Sequence, residues 1–147
     1  TRENDVDLSE GDGGNSKVQD LKRRCEMVRK IQPDCVLSIH QNSYPEEAIH
    51  GAQVFYYEDS SEGKKLAEIL QKHLVEVLDK ENHRQAKGNR TYYMLKKTEA
   101  TLVIVECGFL SNNQEALLLT DEKYQNKVAK AICSGTLEYL SSLAEEK

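Results

Sequence analysis

Long apolar runs are what this 147-residue chain most lacks: the longest, such as Leu102–Val105 and Ala116–Leu119, fall far short of the ~20 residues that cross a bilayer. No membrane span is expected in it. An excess of basic charge is missing as well, because 20 Lys and Arg face 25 Asp and Glu, for a net charge of -5 and a pI near 5.4. That balance argues against nucleic acid as a partner and against electrostatic docking to anionic lipid. Two Pro and eight Gly leave little room for low-complexity tracts. Cys25, Cys35, Cys107 and Cys133 make no C-x-x-C or zinc-ribbon spacing, and three of them lie among apolar neighbours, so they read as buried free thiols. Neither an initiating Met nor a signal sequence opens the chain. It starts with the polar, turn-rich TRENDVDLSEGDGG, as though cut at its front.

A chain of this length is expected to form one domain. Val18, Leu21, Cys25, Val28 and Ile31 recur at helical spacing and predict a helix over Ser16–Ile31, capped by Asn15 or Ser16 and ended by Pro33. Cys35–Ile39 reads as a buried strand that delivers His40 at its end, and Ala52–Tyr57 as a second strand. An amphipathic helix is predicted from Ser60 to Leu78, then a charged loop over Asp79–Arg90 and a short edge strand over Thr91–Leu95. Thr101–Val105 is the most β-prone segment, ending in Glu106 and opening into a loop at Cys107. Helices over Asn113–Leu119 and Asp121–Leu143 close the chain. This alternation predicts an α/β fold with three layers, α/β/α, in which helices flank a mostly parallel mixed sheet.

Sites in open α/β sheets collect at the carboxyl ends of strands, and two such ends present a polar residue straight after an apolar run: His40 and Glu106. Hydrolysis of an amide needs a polarised carbonyl and an activated water. A divalent metal held by His and carboxylate supplies both, while a separate carboxylate moves the proton. Spacing alone is not diagnostic, and a lone histidine after a strand is more often a structural hydrogen-bonding residue.

The surrounding motifs add more. Ser38-Ile39-His40-Gln41-Asn42, then Gly51-Ala52-Gln53-Val54-Phe55-Tyr56-Tyr57, then Val105-Glu106-Cys107-Gly108-Phe109-Leu110-Ser111-Asn112 resemble, in order and spacing, the zinc-dependent N-acetylmuramoyl-L-alanine amidases of the Amidase_3 type. Thr1-Arg2-Glu3-Asn4-Asp5 is similar to that family's TR-x-x-D segment, and Arg24 falls where its next helix carries an arginine. The resemblance covers essentially the whole chain and leans towards the spore-cortex branch. It implies a phosphorylase/hydrolase-like catalytic domain that cleaves the bond between N-acetylmuramic acid and the L-alanine of the peptidoglycan stem peptide. Zinc is then the cofactor, His40 a metal ligand and Glu106 the catalytic glutamate.

The family's Gly-His-Gly-Gly histidine and its ligand glutamate are not in this sequence, so residues 1–147 are expected to be the C-terminal major part of one amidase domain. The remaining zinc ligands are then expected upstream of residue 1, and loss of that part should uncover the face on which Val36, Leu37, Val103 and Val105 pack. An extracytoplasmic location, glycan strand and stem peptide as partners, and a possible accessory protein follow from the same resemblance. A non-catalytic wall-binding or partner-binding module is the alternative.

Other residues have plainer readings beside sharper ones. Asn42 can bind a substrate amide or simply form a turn. His50 lies near the expected site and can touch substrate or metal, His73 sits on a helical stripe with a structural role, and His83 lies in the charged loop. A Cys107 and His40 nucleophile pair is disfavoured, because strand alternation sends Cys107 to the face opposite Glu106.

Overall fold

The computed structural model describes residues 16–145; the Thr1–Asp5 motif and the cap position Asn15 lie outside them. The elements in chain order are α1 (Ser16–Ile31), β1 (Val36–Asn42), β2 (Gln53–Tyr57), α2 (Ser61–Leu78), β3 (Lys87–Asn89), α3 (Tyr93–Lys97), β4 (Leu102–Phe109), α4 (Asn113–Thr120) and α5 (Glu122–Glu145). Helix α1 stops where Gln32 enters the left-handed region at φ 50°, its N–H donating to the Val28 carbonyl at 2.9 Å, with Pro33 blocking continuation.

The sheet order is β1-β4-β2-β3. β1 pairs parallel with β4 and β2 parallel with β3, while β2 and β4 are antiparallel, so the mixed, mostly parallel sheet matches the expectation. All eight residues of β4 are buried, which is why its sequence reads as a continuous apolar run rather than an alternating one. Its side chains still alternate in direction. Val103, Val105 and Cys107 join Leu66, Leu70 and Ile132 beneath α2 and α5, whereas Leu102 and Ile104 join Cys25, Met94 and Leu95 on the side of α1 and α3. Helices therefore cover both faces, giving three layers.

Three expectations need correction. Thr91–Leu95 is no strand: Asn89 Oδ1 accepts hydrogen bonds from the backbone of Thr91 and Tyr92 at 2.7 and 2.8 Å, and this turn starts the short helix α3. Met94 and Leu95 are both buried in the same cluster, which adjacent strand residues could not achieve. The edge strand lies earlier, at Lys87–Asn89. β4 does not end at Glu106 but runs on to Phe109, because pairing with β1 resumes at Asn42 and Phe109 beyond an irregularity after His40. Finally, of the face expected to lie open, Val103 and Val105 are fully buried and only the β1 residues are partly exposed: Leu37 lines, with Ile39, Ile132 and Leu137, a groove of about 570 Å³ beside β1. Of the thiols, Cys25 and Cys107 are buried, Cys35 is half-buried and Cys133 is exposed, and all four are free.

Candidate active site

Because β1 runs parallel to β4, His40 pairs with Glu106; because β2 runs antiparallel to β4, Gln53 pairs with the same Glu106 from the other side. Neighbouring strands lie about 4.8 Å apart, so His40, Glu106 and Gln53 form one row across the sheet. Two residues before His40, on the same face, Ser38 Oγ lies 2.8 Å from His40 Nε2. His40 is exposed, whereas Glu106 is only 8% exposed.

Glu106 Oε2 is buried and has no hydrogen-bond partner among the described residues. Such an acceptor is costly to leave unmade, and burial accordingly raises the Glu106 carboxyl above the ordinary carboxylate range. Tyr92, half-buried and in edge contact with Phe55 at 5.5 Å between ring centroids, has its phenol raised by burial and further by the Glu106 charge. Cys107 points away into the α2/α5 core, where burial, aided by the Glu106 charge, pushes its thiol up to about 12. No thiolate nucleophile is available there, as the alternation argument predicts.

The rim is held by side chains that the sequence reading passed over. Glu115 accepts from the backbone N–H of Gly51 at 2.9 Å and of Phe109 at 2.8 Å, tying the start of β2 to the end of β4. Gly51 sits at φ 98°, and a Cβ there would come within 2.6 Å of Asn82 Oδ1. Asn82 in turn donates to the Ala52 carbonyl at 2.9 Å and accepts from the Arg84 backbone N–H at 3.0 Å. Arg84 donates to the His50 carbonyl at 2.7 Å and to Gln53 Oε1 at 3.1 Å. The visible signals were Asn112-x-x-Glu115 at a helix start and Gln53 at the mouth of an apolar strand. Their long-range partners could not be read from spacing.

The remaining candidates separate from this row. Asn42 Oδ1 accepts from the Ser43 backbone N–H at 2.8 Å, the turn-forming geometry, while its amide nitrogen makes no hydrogen bond among the described residues. His50 is exposed and contributes its carbonyl to Arg84. His73 pairs with Glu138 at 2.7 Å on the α2/α5 surface, a structural role as its stripe position predicts, and His83 is exposed. Arg24 is paired with Asp20 within α1 at 2.6 Å.

As a metal site the row is partial. One imidazole and one buried carboxylate with an unsatisfied oxygen suit zinc chemistry, but catalytic zinc takes three protein ligands. Among the described residues no three His, Cys, Asp or Glu side chains converge to hold a metal ion.

The family model for N-acetylmuramoyl-L-alanine amidase matches residues 1–138. A germination-specific N-acetylmuramoyl-L-alanine amidase of Bacillus subtilis (strain 168) is 38% identical over 144 residues, covering 96% of this chain and 60% of its own length. The chain thus spans less than two thirds of that relative. The structure of the CwlD amidase from Clostridioides difficile, in complex with the GerS lipoprotein, superposes with a TM-score of 0.91 at 38% identity, covering 96% of this chain and 74% of that one. The catalytic domain of CwlV, an N-acetylmuramoyl-L-alanine amidase from Bacillus (Paenibacillus) polymyxa var. colistinus, follows with a TM-score of 0.75 and 30% identity over 82% of this chain and 65% of its own.

Proposed function

Since this chain belongs to the N-acetylmuramoyl-L-alanine amidase family, we propose that it forms the major, C-terminal part of a catalytic domain that hydrolyses the amide between N-acetylmuramic acid and L-alanine in peptidoglycan. The observation that carries this reading is the buried Glu106 Oε2, without a hydrogen-bond partner among the described residues and in register with His40. A carboxylate so placed is poised to exchange a proton with something that enters the cleft.

In the proposed mechanism His40 is one zinc ligand, steadied by Ser38, and the other ligands come from residues outside those described. Zinc, when bound, supplies Lewis-acid polarisation of the amide carbonyl and eases deprotonation of water. Glu106 accepts the proton of the attacking water on Oε2 as the new C–O bond forms. It then passes that proton to the alanine nitrogen as the C–N bond breaks, leaving a carboxylic acid and an amine. The raised affinity of the buried carboxyl for a proton suits the first half of this cycle, in which it takes one from the water. Asn42 offers its unused amide nitrogen to a substrate carbonyl.

The same reading makes the glycan strand and stem peptide the partners, and an extracytoplasmic wall or spore cortex the place of action, in line with the germination-specific relative. An accessory protein is proposed too, on the precedent of the CwlD neighbour bound to a lipoprotein. No helix among the described residues is long and apolar enough to cross a membrane. The test is zinc content together with release of L-alanine amino termini from purified peptidoglycan by the whole protein. Zinc near one per chain with new alanine termini supports the reading, and wall binding without new termini replaces it with the non-catalytic module.

A further inference from the structure

We propose that Arg84 is a specificity-determining residue of this site, binding a carboxylate on the peptide side of the scissile amide. The identity of that peptide rests on the amidase reading; the anion site itself rests on geometry. The guanidinium bridges β2 and β4. It donates to Gln53 Oε1, the side chain of the register partner of Glu106, and its carbon lies 4.9 Å from the centroid of the Phe109 ring, three residues beyond Glu106 on β4. Arg84 therefore contacts the Gln53 end of the row that holds Glu106.

Its charge is unspent. Both recorded acceptors, the His50 carbonyl and the Gln53 amide oxygen, are neutral, and among the described residues Arg84 makes no ion pair. Arg24 and Arg90, by contrast, pair with Asp20 and with Glu58 and Asp59. The carboxylates near Arg84 are otherwise disposed: Glu115 uses both oxygens on backbone N–H groups, and Glu106 Oε2 has no hydrogen-bond partner among the described residues. Nη2 of Arg84 makes no hydrogen bond among the described residues, which leaves one arm of the fork for a ligand.

The side chain is also held in place before any ligand arrives. Its own backbone N–H is fixed by Asn82, its Nε by the His50 carbonyl, its guanidinium by the Phe109 ring, and Gln53 anchors the next residue by donating to the Gln85 carbonyl at 2.9 Å. A half-buried arginine immobilised by neutral acceptors loses little further freedom when an anion docks. The stem peptide carries carboxylates whereas the glycan hydroxyls are neutral, so a fixed cation here discriminates for the peptide.

The experiment titrates the protein with L-alanyl-D-glutamate and with its neutral diamide, following binding by calorimetry, for the wild type, Arg84→Gln and Arg84→Lys. The wild type should prefer the diacid by about tenfold, the scale of one charge-assisted contact. Arg84→Gln should bring the ratio close to one, and Arg84→Lys should keep part of it. A wild type without preference, or an Arg84→Gln protein that binds both probes more weakly while keeping the ratio, overturns the proposal; the second pattern marks Arg84 as a loop clamp. Peptidoglycan cleavage by the wild type is scored separately. Its absence, with an Arg84-dependent ratio intact, removes the amidase reading and leaves the anion site standing.

Discussion

His40 and Glu106, far apart in the chain, occupy the same register position of the parallel β1/β4 pair, so an exposed imidazole and a buried carboxylate share one face of the sheet. Their unequal burial suits unequal tasks. In the whole protein, Glu106→Gln should keep fold and zinc content while muramoyl-L-alanine cleavage falls roughly 10²–10⁴-fold. His40→Ala should lose zinc together with activity. Metal analysis beside turnover separates the two, and zinc loss from both mutants alike would refute the assignment.

Burial raises the proton affinity of Glu106 in the folded chain, and that has a consequence for stability. A group whose folded pKa is raised favours the fold below its unfolded pKa, and that contribution is lost as pH rises through the folded value. Glu106→Gln should therefore melt close to the wild type in acid and above it at neutral pH in zinc-free protein. Thermal unfolding across pH reads the widening gap; a gap that stays constant would contradict it.

With its thiol pushed up to about 12 and buried, Cys107 should resist alkylation in the native protein, whereas the exposed Cys133 should react readily. Mass mapping of iodoacetamide adducts before and after denaturation checks the order. In the whole enzyme such alkylation should leave most cleavage intact, while chelation abolishes it.

Glu115→Ala removes the acceptor shared by the Gly51 and Phe109 N–H groups and should destabilise the fold by about 2 kcal/mol or more. Gly51→Ala forces a Cβ against Asn82 at φ 98°, and a loss of roughly 1–3 kcal/mol is expected. Urea unfolding of both variants measures these costs.

Much of this architecture is legible in the chain because its signals are local and periodic. The helical spacing from Val18 to Ile31, the long amphipathic α2 and α5, and the apolar run before Glu106 each report which face meets a core. Thr91–Leu95 misleads, since a weak alternation there competes with the turn that Asn89 makes with its own backbone. His40 and Glu106 stand out because each directly follows an apolar run of sequence. Ser38, Gln53, Arg84 and Glu115 do not, because what defines them is a partner supplied by register or loop path. No property of the residue itself announces that partner.

β4 is hydrogen-bonded to a neighbour along both edges, and every residue in it is buried. Its amides should exchange with solvent only when the whole domain opens, whereas β1, a border strand among the described residues, can fluctuate on its own. Glu106 thus sits on a strand paired along both edges, and His40 on a border strand. Hydrogen–deuterium exchange should therefore reach the β1 amides around His40 well before those of β4 around Glu106.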